Sequence, residues 1–297
     1  MADFRGLFPA IITPMTSDGG LNEAAFREVM EFNIRAGVHG FWIAGGTGES
    51  IMLTDEENNR IAEISADQNT GRVKNIMHVG APTTTRAAKL AEHAARAGVE
   101  AICCVPPFFY RQSDEVIVEH YRVVGAAAGL PLLLYNLPGS TGVEITPQLM
   151  AKIQDRVPQL AGLKHSAMNF SHIRDFAKMG LSCLVGSSKL MLPALTIGAS
   201  GCVDGPPGAA PELWVKIWDA YNAGDLKRAE AAQDEAAKVV DPLVVSKFHA
   251  RMKTFIGERL GIDCGSPRPP SPSLTPEERA EVVRLATRLG LAKVTVG

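Results

Sequence analysis

The sequence predicts an α/β chain folded as a (β/α)8 barrel (a TIM barrel) with a C-terminal helical extension. Strand-like and helix-like segments alternate with a spacing of about 30 residues, the size of one βα unit. Eight strand candidates fit within about 220 residues, which favours a closed barrel over an open doubly wound sheet. After the eighth the strand signal stops, and only helical patterns continue.

The strand candidates are Leu7 to Thr13, Gly40 to Ala44, Lys74 to Val79, Ala101 to Val105, Pro131 to Tyr135, Gly162 to His165, Ser182 to Val185 and Gly201 to Val203. They are short apolar runs rich in branched residues, as strands buried on both faces are. Between them lie amphipathic stretches, each opening on a capping residue: Asn22, Thr54, Thr83 and Ser113. Ser, Thr and Asn side chains accept from the first free helical N–H groups, and several of these stretches close at glycine. Beyond the eighth strand, Pro211 to Gly224, Leu226 to Ile256 and Thr275 to Leu289 read as helices, the last two joined by the rigid connector GSPRPPSPSLTP. A barrel over residues 1–224 and an appended helical bundle over 225–297 are therefore expected.

With 297 residues, 46% of them apolar, and a net charge of -2, the chain can bury a large core. Its lysines and arginines are scattered, without the basic stripe of a nucleic-acid or anionic-membrane binder, so a small-molecule substrate is the expectation. No stretch reaches the roughly 18 apolar residues of a membrane span, and MADFRGLFPAIITP has no signal-peptide pattern; a cytoplasmic location is expected. Five cysteines without a CxxC pair, four of them in apolar runs, read as reduced core residues. His39, His78, His93, His120, His172 and His249 share no metal-ligand spacing and read as structural, and Trp214 and Trp218 as helix packing.

In such barrels chemistry sits at the C-terminal ends of the strands and in the loops after them. Three motifs lie there. AGGTGES, Ala44 to Ser50, has three glycines that let the backbone approach a ligand, with a hydroxyl at Thr47; a tight turn would explain the same glycines. It matches neither a P-loop nor a GxGxxG fingerprint. LPLLLYNLPGSTG ends an apolar strand on Tyr135, where a phenol can shuttle a proton, although a core tyrosine fits the same pattern.

The third motif is LAGLKHSAM, which places Lys164 inside an apolar run. An unpaired buried ammonium is costly, and the usual outcome is a neutral amine, the nucleophile of Schiff-base chemistry. A period of two puts Gly162, Lys164 and Ser166 on one face, where the small neighbours leave room for a substrate. His165 falls on the other face, as a barrel-to-helix packing residue.

Taken in order, GLFPAIITPM, GTGE ending at Glu49, VPPFFY, YNLPGSTG, GLKHS and GASGCVDG span almost the whole chain. They resemble the N-acetylneuraminate lyase and dihydrodipicolinate synthase family of class I aldolases. The resemblance implies that Lys164 forms a Schiff base with pyruvate or another 2-oxo acid and that Tyr135 shuttles protons. It further implies that Thr47 and the Gly48 amide hold the substrate carboxylate, that no metal or organic cofactor is required, and that the chain forms a homotetramer built from dimers.

Three positions depart from the dihydrodipicolinate synthase pattern. Gly46 replaces the first threonine of GTTGE, Phe109 the relay tyrosine that crosses a subunit interface, and Ser140 the arginine of YNxPxRTG. Neuraminate lyases carry GSTGE and a tyrosine at the Phe109 position, whereas AGGTGE resembles the family's sugar-acid dehydratases. Tyr110 is a candidate replacement for the missing phenol. Gly186 and Val203, at the ends of strands seven and eight, join Thr47, Gly48, Gly46, Ser140 and Phe109 as candidate substrate-binding residues. Asp204, Ser187 and Ser188 could reach the distal part of a substrate.

The expected activity is aldol cleavage or condensation, or dehydration, of a 2-keto-3-deoxy sugar acid. A dihydrodipicolinate synthase-like condensation of pyruvate with an aldehyde, and a non-catalytic barrel that senses 2-oxo acids, are the alternatives.

Overall fold

A computed structural model describes residues 4–291 and 293–294. The remaining ends of the two expected segments lie outside the described residues. Eight parallel strands form one sheet: β1 Gly6–Leu7, β2 Gly40–Ile43, β3 Lys74–His78, β4 Ala101–Cys104, β5 Leu132–Asn136, β6 Leu160–His165, β7 Ser182–Val185 and β8 Gly201–Cys202. Each pairs with its sequence neighbour from β2 to β8, and β8 pairs with β1. The sheet closes through residues after β1: Trp42 N–H donates to the Pro9 carbonyl at 3.0 Å, and Ile11 N–H to the Trp42 carbonyl at 3.3 Å. This is the (β/α)8 barrel that the spacing predicted.

The expected first strand, Leu7 to Thr13, is shortened to Gly6–Leu7. Pro9 has no N–H to give to a ladder, so the chain beyond Leu7 bonds its two neighbours irregularly rather than as a strand. At this seam Gly201 lets two backbones touch. A Cβ there would lie 1.9 Å from the Gly6 carbonyl oxygen.

The barrel helices are α1 Glu23–Arg35, α2 Asp55–Asn69, α3 Thr84–Ala97, α4 Asp114–Ala128, α5 Pro138–Thr141, α6 Pro147–Arg156, α7 His172–Lys178, α8 Met191–Thr196 and α9 Pro211–Asn222. Asn22, Thr54, Thr83 and Ser113 cap α1 to α4 with their side chains, and Thr54 closes a full capping box with Glu57. Side chains alternate along each strand into two layers. Ile76, Cys103, Leu133, Tyr135 and Leu184 fill the barrel interior, while Leu132, Leu134 and Leu163 pack outward against the helices.

The extension contains α10 Leu226–Leu243, α11 Phe248–Leu260 and α12 Pro276–Arg288. The single helix expected from Leu226 to Ile256 is therefore two. Pro242 sits in the last turn of α10, where its ring ends the ladder, and Lys247 takes a left-handed φ of 62° before α11 begins. The proline-rich connector docks on the barrel through Arg268, whose guanidinium holds both carboxylate oxygens of Glu57 at 2.6 and 2.7 Å. Among the described residues no helix is long and apolar enough to cross a membrane.

Candidate active site

β5 and β6 pair with Tyr135 opposite Lys164, so their register alone brings the phenol and the amine together on the inner face. Lys164 is 4% exposed. Its Nζ lies 4.5 Å from the Tyr135 ring centroid and 5.6 Å from that of Trp42 on β2. The two rings flank the amine and shield it from water. Trp42 in turn meets Tyr135 edge-on, with centroids 5.5 Å apart.

The small residues flanking the lysine serve the strands rather than a substrate. A Cβ on Gly162 would lie 2.2 Å from the Ser182 carbonyl oxygen, and one on Gly186 would lie 1.8 Å from Ser166 Oγ. Both glycines are where β6 and β7 approach closely. His165 faces outward as expected, with Asn136 Nδ2 at 3.2 Å from Nδ1 and the Asn169 carbonyl at 3.0 Å from Nε2.

The loop after β2 makes two 3-10 turns, Gly46–Gly48 and Ser50–Met52, the first lying between left-handed residues Ala44 (φ 51°) and Glu49 (φ 65°). Gly48 donates its N–H to the Gly45 carbonyl at 3.0 Å, and Glu49 donates to Gly46 at 3.2 Å. The first turn thus consumes the Gly48 amide to which the family resemblance gave a carboxylate. The Thr47 N–H and hydroxyl are the donors that the turn does not use. Thr13 Oγ1 donates to the Gly48 carbonyl at 2.8 Å and fixes the turn from β1's side.

The extension fixes it from the other side. His249 Nε2 lies 2.9 Å from the Gly46 carbonyl, and Lys253 Nζ lies 2.6 Å from Glu49 Oε1 with both side chains sealed from solvent. The Arg268 N–H donates to Glu49 Oε2 at 2.6 Å. Burial pulls the Lys253 amine below its usual range, and the bond to Glu49 opposes that pull. Sequence reasoning missed Glu49, His249 and Lys253 as part of the site, because no local pattern joins residues some 200 positions apart.

A cavity of about 260 Å³ opens at the barrel mouth, lined by Gly46, His78, Val105, Phe108, Tyr135, Leu137, Ser140, Thr141 and neighbours in the loop after β2. Of the residues singled out in the sequence it collects Tyr135, Gly46 and Ser140. A Cβ on Gly46 would sit 3.5 Å from the Tyr135 hydroxyl, so the glycine holds open the space beside the phenol. Lys164, Thr47, Gly48, Gly186 and Val203 are not on the lining: Lys164 packs on the Tyr135 ring, Val203 lies in the barrel core, and Thr47 abuts Gly205.

Phe109 is also off the lining. It is 86% exposed with φ 77°, edge to face with the equally outward Tyr110, so within one subunit neither ring supplies a group to the cavity. Asp204 is spent on the backbone, its carboxylate accepting from the Ser188 and Gly205 N–H groups at 2.8 Å each.

The residue most clearly undervalued in the sequence is His78. It ends β3 on the inner face, 3% exposed, its ring perpendicular to that of Tyr135 with centroids 6.2 Å apart. Burial lowers its pKa to about 4, helped by the nearby Lys164 charge and opposed by a hydrogen bond to the Ala44 carbonyl. A period of two counted from Ile76 would have put it at the barrel mouth. Among the described residues no cluster of three or more His, Cys, Asp or Glu could hold a metal. All five cysteines are buried and unpaired, and burial raises the thiols of Cys103, Cys104, Cys183 and Cys202 and takes Cys264 to about 12.

Comparison with known proteins gives a consistent picture. The dihydrodipicolinate synthetase family matches over residues 3–289. An uncharacterized DapA-like lyase of Halobacterium salinarum is 34% identical over 289 residues, covering 97% of this chain and 94% of that protein. The 4-hydroxy-tetrahydrodipicolinate synthase of Syntrophus aciditrophicus is 31% identical, covering 97% of this chain and 99% of the enzyme. A prophage protein of Escherichia coli K12 that belongs to the dihydrodipicolinic acid synthase family, solved in complex with pyruvate, superposes with a TM-score of 0.91 at 25% identity, covering 98% of this chain and 100% of that one.

Proposed function

The chain belongs to the dihydrodipicolinate synthetase family, and from that membership we propose that it is a carbon–carbon or carbon–oxygen lyase whose reaction is carried by Lys164. The supporting observation is the amine itself, buried inside the barrel with its Nζ 4.5 Å from the ring of Tyr135, which lines the cavity at the mouth. The substrate is pyruvate or a related 2-oxo acid within a 2-keto-3-deoxy sugar acid.

The Lys164 amine adds to the C2 carbonyl, and loss of water leaves an iminium. Tyr135 gives its proton to the hydroxide that departs as the iminium forms; in cleavage the C3–C4 bond then breaks, its electron pair moves into the resulting enamine, and the C4 hydroxyl gives its proton to the Tyr135 phenolate. The enamine is then protonated at C3 and hydrolysed, which releases pyruvate and restores the amine. In dehydration a C3 proton leaves and the C4 hydroxyl departs as water through the same iminium. Thr47 holds the substrate carboxylate through its N–H and hydroxyl, one residue earlier in the turn than the Gly48 amide.

Gly46 and Ser140 favour a sugar-acid substrate over the aldehyde of dihydrodipicolinate synthesis, since the cavity they line carries no guanidinium for a second carboxylate. We place the chain in the cytoplasm as a homotetramer. The outward pair Phe109 and Tyr110 is the apolar surface that such an assembly would cover, which sedimentation velocity tests. The boundary at residue 224 separates barrel from bundle along the chain, yet His249 and Lys253 of the bundle brace the turn that holds Thr47, so both segments serve one site.

Borohydride reduction in the presence of pyruvate tests the reading. The wild type should gain the mass of a reduced pyruvyl adduct, and Lys164→Ala should not. Equal labelling of the two proteins would refute the role of Lys164.

A further inference from the structure

We propose that His78 is a specificity-determining residue whose Nε2 accepts a hydroxyl hydrogen from the part of the substrate beyond the carbon that Lys164 activates. The proposal rests on the Schiff-base reading and adds to it the group that recognises the hydroxylated part of the substrate.

Three buried histidines offer a comparison. His120 engages both ring nitrogens, with Thr84 Oγ1 2.9 Å from Nδ1 and Cys104 Sγ 3.4 Å from Nε2. His165 likewise engages both, with Asn136 and the Asn169 carbonyl. His78 has no partner at Nε2, although it is as deeply buried as the other two. It also differs in place, lying on the inner face and lining the cavity while they lie among the helices.

The chemistry of that nitrogen follows from its surroundings. Burial keeps the ring neutral near pH 7, and Nε2 is its nitrogen without a hydrogen-bond partner, free to accept when the other nitrogen carries the proton. Gly80 passes close to that nitrogen without covering it by a side chain, since a Cβ there would lie 2.7 Å from Nε2. Much of the lining around it is apolar, from Ile51, Met52, Val105, Phe108 and Leu137. A phenylalanine or leucine would fill the same space without desolvating an unmatched nitrogen, so packing does not account for an imidazole here. A donor arriving with the substrate does. Polyhydroxylated chains carry such donors and simple alkyl chains do not, and a site built around a buried acceptor discriminates between the two.

The test uses imine formation, which precedes either cleavage or dehydration. Half-saturating concentrations for borohydride inactivation are measured with 2-keto-3-deoxygluconate and with 2-oxohexanoate, which has the same six carbons and no hydroxyls. The preference for the hydroxylated acid should fall roughly 10- to 100-fold in His78→Phe, which keeps an aromatic edge against Tyr135, and should be largely kept in His78→Gln, which keeps an acceptor. Because the readout is a ratio within each variant, a partly unfolded preparation does not distort it. A His78→Phe ratio equal to that of the wild type would overturn the proposal. Failure of both acids to inactivate the wild type would instead refute the Schiff-base reading, and the proposal with it.

Discussion

Replacing Lys253 by methionine removes the counter-ion of Glu49 while keeping most of the side chain's volume. The two side chains are 1% and 0% exposed and 2.6 Å apart. What remains to Glu49 is the Arg268 N–H at 2.6 Å. Breaking a fully buried pair from one side strands a charge and costs about 3–5 kcal/mol. For a chain of this size that corresponds to a fall in melting temperature of roughly 5–8 °C.

Glu49→Gln should cost a similar amount, because Lys253 then has only the Ser266 carbonyl at 3.0 Å. The double variant should lose clearly less than the sum of the two singles, by about 2 kcal/mol or more, since neither charge is left stranded. Urea and thermal denaturation of the four proteins give the cycle. Lys238→Met is the control, because its Glu235 partner is exposed on the same helix and such pairs contribute little. Since Glu49 follows the turn that presents Thr47, Lys253→Met should also raise the half-saturating concentration of pyruvate in borohydride trapping. A cost for Lys253→Met no larger than that for Lys238→Met would show that the bundle does not brace the turn.

Three further outcomes are expected. Tyr135→Phe should lower turnover on the order of 100-fold or more while Lys164 remains trappable, as measured by pyruvate release beside adduct mass. Acid should destabilise the fold early: His78 and His120 have folded pKa values of about 4 against 6.5 unfolded, so above pH 6.5 both states are neutral and the full contribution is present. As pH falls from 6.5 toward 4 the unfolded chain takes up protons that the folded one refuses, and stability drops by up to about 3 kcal/mol per group. Urea midpoints at pH 7.5, 6 and 5 check this, and His120→Asn should flatten the dependence. Gly201→Ala, whose Cβ would meet the Gly6 carbonyl oxygen at 1.9 Å, should strain the β1–β8 seam by at least about 1–3 kcal/mol; an unchanged melting temperature would mean that the seam can part.

What was legible in the sequence follows the range of the interactions involved. The strands were found because each is a local apolar run, and the first four helices because Asn22, Thr54, Thr83 and Ser113 announce their own caps. Lys164 and Tyr135 stood out because a polar group in an apolar strand is a local anomaly. Pro9 and Pro242 were visible too, and each broke an element that hydrophobic periodicity alone had extended. Glu49 with Lys253, by contrast, is written in two segments whose meeting depends on how the bundle folds back over the mouth. His78 was misjudged for another reason: it was tested against metal-ligand spacing, when the informative question was which face of β3 it occupies.

That difference bears on what names a substrate in this family. The residues proposed to act on the 2-oxo acid head, Lys164 and Tyr135, meet across one strand pair, and register delivers them. Residues that read the tail come from wherever the cavity wall passes: the loop after β2, the ends of β3 and β5, and α11. The departures at Gly46 and Ser140 remove a hydroxyl and a guanidinium from that wall, and Gly46 opens the space beside the Tyr135 hydroxyl. A wall emptied of charge but still carrying one unmatched imidazole nitrogen at His78 suits a neutral, hydroxyl-bearing tail better than a second carboxylate. A second carboxylate brought into it would lack a counter-charge, and a buried anion without one is costly. Specificity on this barrel therefore depends on which polar groups the wall leaves unsatisfied, as much as on those that it presents.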